Sequence, residues 1–164
     1  MLRMTKIVIF EKNRIMNFYE ILKSAHSGWR YLVFILLVIA VIQALIGWFG
    51  NKSYTEGTRK LNVFTLISAH IQLVFGIVLY FLSPLTKIAS SEAIGRYWKM
   101  EHISMMIIAI ILITIGNARS KKVTDSAAKH KNIAIFFGIA LIVIVAAIVM
   151  MTKADPSKTF FGVS

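Results

Sequence analysis

The chain has no cysteine in its 164 residues. That excludes disulfides, thiolate nucleophiles, cysteine-ligated iron–sulfur clusters and covalent haem attachment through CxxCH. Any cofactor has to be held by histidine, methionine, oxygen or shape. Acidic side chains are scarce, 7 Asp and Glu against 19 Lys and Arg. Proline occurs only at Pro84 and Pro156, so the long apolar runs carry no internal helix breaker. No Ser-His-Asp order, HExxH, P-loop or GxGxxG is present, and nothing points to hydrolytic or nucleotide chemistry.

What the chain does have is hydrophobic length. It is 57% hydrophobic with a mean hydropathy of +0.72, beyond the usual range of a water-soluble domain. Residues 31–49, 61–82, 97–116 and 133–151 are each long and apolar enough to cross about 30 Å of hydrocarbon. The expected fold is all-α, an integral membrane four-helix up-down-up-down bundle over residues 17–151. Its helices are expected at about 17–49, 61–82, 90–117 and 126–151. Residues 1–16 form a basic N-terminal extension, with Asn17 a candidate first cap, and residues 152–164 a C-terminal tail.

A net charge of +12 would suggest nucleic acid in a soluble chain. Here the cations sit in connections and tails, where they hold helix ends at anionic lipid, so the expected partner is the bilayer and not nucleic acid. The first run ends in Gly47-Trp48-Phe49-Gly50 without a small-x-small cleavage pattern, so it is expected to stay as an anchor. Short connections put both termini on one side. Eleven of the 19 basic residues fall there and eight opposite, which tilts the termini toward the cytoplasm. Trp29, Tyr31, Tyr80, Tyr97 and Trp98 form an aromatic belt on that same side.

His70 lies near the middle of a charge-free apolar run, where an ionisable side chain is costly and demands a ligand, a proton or a partner. Pro84 stops the second helix, and Ser90-Ser91-Glu92 offers caps for the third. His70 and His102 are equidistant from Thr86 between them, and counting from the far helix ends leaves them level within about 7 Å. The pair could supply two imidazoles to a haem b slot. The wall expected beside His70 is Leu66, Val74 and Ile77, facing Met105 and Ala109. Thr65, Ser68, Ala69, Gln72 and Gly76 form a small-polar stripe on the other side of the same helix, suited to close packing, and the stripe and His70 cannot both face one neighbour.

Arg30, Arg96 and Lys99 are candidate propionate partners, with Trp98 at the rim. His26 shares a helix face with Arg30 and could ligate a second haem, hydrogen-bond a propionate or bind a quinone headgroup. Glu101 wants a partner such as Arg30, or carries protons. The plainer readings stand beside these: His70 as an interhelical hydrogen-bonding residue, His26 and Arg30 as interface anchors, Met100, Met105 and Met106 as filler, and His130 as part of a solvated helix start.

The segments His26-Ser27-Gly28-Trp29-Arg30, Ala69-His70-Ile71-Gln72 and Glu101-His102-Ile103-Ser104-Met105-Met106, with Ile115-Gly116-Asn117 before a basic loop, resemble small four-helix bacterial membrane proteins described as cytochrome b-like. The likeness spans roughly residues 16–151. A more distant likeness is to cytochrome b561-type cores and the copper-resistance D superfamily. The resemblance implies haem b, electron transfer in the bacterial inner membrane, and His26, His70 and His102 as cofactor-associated histidines.

The leading expectation is therefore a multi-pass haem b protein passing electrons between a quinol and a membrane or surface redox partner, alone or as a homo-oligomer. Its cofactor-binding candidates are His70, His102, His26, Arg30, Trp98 and Met105, with His70 and His102 as iron ligands. One alternative is a transporter or metal- or proton-handling protein using the same histidines. Another is a cofactor-free structural or assembly subunit.

Overall fold

The computed structural model describes the backbone of residues 2–159 and the side chains of residues 13–159. Four helices make up the described chain: α1 (Leu2–Phe49), α2 (Glu56–Leu82), α3 (Ala93–Lys122) and α4 (Ser126–Ala154). All four are long and apolar enough to cross a membrane, as expected for a multi-pass membrane protein. The fold class is all-α.

Helix ends follow local chemistry. Gly50 and Asn51 close α1, Asn51 adopting a left-handed φ of 47° that asparagine tolerates better than most side chains. The Thr55 hydroxyl accepts from the Thr58 amide at the start of α2, and the Asp125 carboxylate accepts from the Ala128 amide, 2.6 Å, at the start of α4. Pro84 opens a short 3₁₀ turn, Pro84–Lys87, one residue past the end of α2, where a proline cannot continue the helix.

Two boundaries differ from expectation. Asn17 is not a cap, because α1 runs unbroken from Leu2; nothing between residues 2 and 17 breaks a helix. Within α3, residues Tyr97–Glu101 form a π-turn, a one-residue underwinding that periodicity cannot reveal.

The helices close a ring in which α4 packs broadly on α3 and α1, α1 on α2, and α2 more narrowly on α3. Along the α1–α2 seam Trp29 meets Ser68 and His26 meets Gln72, so later residues of α1 face earlier residues of α2. The α3–α4 seam behaves likewise: Tyr97 meets Ala147 and Arg119 meets Asn132. The shared core is built from Leu37 and Ala40 of α1, Ala69 of α2, Ala109 and Ile113 of α3, and Phe137 of α4. Alanines at these seams let backbones approach closely, which is what drives association where lipid is as apolar as the protein.

Candidate functional site

The two stripes of α2 make opposite choices. Thr65, Ser68 and Ala69 are buried against the bundle. Trp29 donates its indole N–H to the Ser68 carbonyl at 3.0 Å, and Gln72 donates its amide to the His26 carbonyl at 2.9 Å. A Cβ at Gly76 would come within 3.2 Å of the His26 ring. The small-polar stripe therefore receives α1, and His26 lies over it.

His70, on the other side, is exposed. Its Nδ1 lies 2.8 Å from the Leu66 carbonyl of its own helix, and it shares its outward face with Phe64, Ile67, Val74, Ile77 and Phe81. Val74 and Ile77 do share the face of His70, but that face points away from the bundle, Val74 being 58% exposed. An open groove on the flank of α2, lined by Arg59, Lys60, Leu61, Val63, Phe64 and Ile67, contains no histidine.

The expected pairing of His70 with His102 is thus corrected. The tight contacts that small residues allow outweigh the pull of one imidazole, which its own helix already satisfies through one nitrogen. Ala109 leaves no slot opposite His70 either, because it is buried in the common core.

His102 has His26, not His70, as its electrostatic neighbour. Half-buried on α3, it feels His26 and Arg30 as its ionisable neighbours. Arg30 also acts on His26 and on Tyr97. Arg30 donates to the Tyr31 hydroxyl at 3.1 Å and lies over that ring at 5.0 Å. Trp98 stands with its ring centroid 5.2 Å from that of His102. Among the described residues three buried polar atoms at this end have no hydrogen-bond partner: His26 Nδ1, Gln72 Oε1 and Trp98 Nε1. Such atoms are costly in an apolar medium, and a cluster of them marks a place built for something polar. Glu101 pairs with Arg96 at 2.8 Å and not with Arg30. Met105 is half-buried three residues beyond His102.

The π-turn positions His102. Residues five apart in an α-helix stand about 140° apart at about 100° per residue. The wider, underwound turn brings Tyr97 and His102 together: the His102 amide bonds the Tyr97 carbonyl, and the Tyr97 hydroxyl lies 3.3 Å from His102 Nδ1. π-turns recur at functional sites because they re-aim one side chain without breaking the helix. Tyr97 was noted in the sequence only as a belt residue, and nothing in its spacing marks this role.

A second polar cluster occupies the opposite end. His130, expected in a solvated helix start, is only 2% exposed, and neither ring nitrogen has a partner. Its ring sits in the space that a Cβ at Gly47 would take, 5.0 Å from the Tyr54 ring. The Tyr54 hydroxyl accepts from Asn62 at 2.8 Å, and the Asn62 side-chain oxygen is unpartnered. The sequence signal was Gly47, which lets the first turn of α4 close onto α1.

Among the described residues no group of three or more His, Asp or Glu could hold a metal ion. No protein-family model, curated protein or solved structure matches this chain.

Proposed function

We propose that the chain is a haem b-binding electron-transfer protein of the bacterial inner membrane, with His26 and His102 rather than His70 and His102 as the ligand pair. The observation that carries this reading is that His102 has His26 as an ionisable neighbour, with buried polar atoms at the same end that have no partner among the described residues. Haem b fits the donor set because the porphyrin itself supplies four nitrogens, so two imidazoles complete the iron. A protein-only zinc or copper site takes three or four donors, and no such group occurs among the described residues. That favours haem over the metal-handling alternative.

Bound at this site, haem b would supply reversible one-electron chemistry. The chain's own residues do the rest. Gln72 holds the His26 backbone, and Gly76 leaves room for the His26 ring. Arg30 supplies the fixed positive charge of the cluster, and Trp98 offers an unspent indole N–H; both suit propionate carboxylates. Met105 and the apolar core beneath keep water out, which raises the weight of every charge near the site. Lying among the belt aromatics, the site is suited to exchange with a quinol or a redox partner at that membrane surface.

The absorption spectrum of the detergent-purified, haem-supplemented protein tests this. A Soret band and a reduced α-band are expected, lost or strongly shifted in His26→Ala and in His102→Ala and unchanged in His70→Ala. Absence of both bands in the unaltered chain overturns the haem reading. Loss of the bands with His70→Ala but not with His26→Ala overturns the ligand assignment.

A further inference from the structure

We propose that Tyr97 is a positioning residue that fixes the proton of His102 on Nδ1 and so leaves Nε2 as the bare, ligating nitrogen; its ligand role rests on the haem reading of the same site. Tyr97 is only 1% exposed, and its hydroxyl has two polar neighbours. It donates to the Ala147 carbonyl of α4 at 2.8 Å and lies 3.3 Å from His102 Nδ1. A hydroxyl carries one proton, and a carbonyl can only accept, so the proton of Tyr97 is committed to Ala147. Toward His102 the same oxygen can only accept. A neutral imidazole has a single N–H, and the Tyr97 oxygen holds it on Nδ1.

The rest of the surroundings agree with this assignment. The rings of Tyr97 and Trp98 stand with centroids 5.7 and 5.2 Å from that of His102, and among the described residues no hydrogen bond reaches its Nε2. The link is doubled through the backbone, since the His102 amide bonds the Tyr97 carbonyl across the π-turn. The five-residue spacing is therefore the means by which one residue sets both the direction and the tautomer of another. Metal-binding histidines commonly have their remote N–H anchored in this way, and the anchor makes the ligating nitrogen more basic. Anchoring through tyrosine to a main-chain carbonyl ties the imidazole of α3 to the backbone of α4.

The test uses full-length protein labelled with ¹⁵N-histidine in lipid nanodiscs, read first without haem. His102, assigned by its loss in His102→Gln, is expected as a single tautomer with protonated Nδ1 and bare Nε2. Tyr97→Phe keeps the ring and removes the oxygen, and should turn that signal into a tautomer mixture. In the haem-loaded protein, Tyr97→Phe should keep the Soret band and move the midpoint potential upward, because a less basic imidazole stabilises the ferric form less. Protonated Nε2 in the unaltered protein overturns the proposal, as does a Tyr97→Phe variant with tautomer and potential unchanged. If Tyr97→Phe does not fold, the unaltered spectrum still decides the tautomer. A correct tautomer in a chain that takes up no haem overturns the haem reading and leaves the Tyr97 assignment standing.

Discussion

Gly47 and Gly28 lie on the same helix and answer differently to the same change. At Gly47 an added Cβ would overlap the His130 ring, whereas at Gly28 it would meet nothing within 4 Å. Gly47→Ala is expected to destabilise by about 1–3 kcal/mol, the usual cost of overpacking. Gly28→Ala is expected to stabilise by about 0.5–1 kcal/mol, because alanine loses less backbone freedom in a helix. Thermal unfolding in detergent should order the proteins Gly28→Ala, unaltered, Gly47→Ala from most to least stable. At this scale the sequence set His70 against His102, whereas the structure turns His70 outward. His26, His102, Arg30 and Trp98 do gather at one end, but equidistance from Thr86 gave depth and no direction. The information that turned His70 outward was in its neighbours Ser68, Ala69 and Gln72, whose small and polar side chains claim the packed face.

Helices α3 and α4 carry devices that can be altered one at a time. The Asp125 carboxylate caps α4 from an exposed position, so Asp125→Ala is expected to cost about 1 kcal/mol, measured as a lower unfolding midpoint with an unchanged haem spectrum. The π-turn of α3 owes its shape to one extra residue. Met100 lies within that turn and is largely exposed, so its deletion removes the extra residue without hollowing the core. Tyr97 and His102 then stand four residues apart in an ordinary α-helix, about 40° around its axis, so they stay on one face. The expected outcome is a folded, helical protein that keeps the Tyr97–His102 contact, read as an unchanged His102 tautomer; a tautomer mixture would show that the contact needs the five-residue spacing of the π-turn. Helix number and type were readable from apolar length alone. The π-turn was not, since a one-residue underwinding changes no composition.

Across the whole molecule, the sequence separates lipid-facing from bundle-facing positions once the small-polar stripe is given precedence over the lone histidine. The absence of cysteine makes this directly testable, because a single introduced thiol is the only one to label. A nitroxide at His70→Cys should be freely relaxed by oxygen dissolved in the bilayer, and one at Ser68→Cys should be shielded; equal relaxation at the two sites would contradict the rotation of α2. The length of α1 has a mechanical consequence. At about 1.5 Å per residue the unbroken helix is about 72 Å long, more than twice the hydrocarbon thickness of about 30 Å. Its C-terminal end at Phe49 closes one end of the bundle, so the excess is a rod standing out from the other. No joint interrupts that rod before His26 and Arg30. A load applied to its outer part reaches one imidazole of the pair as a rigid lever would, while the other stays anchored through Tyr97 to the backbone of α4.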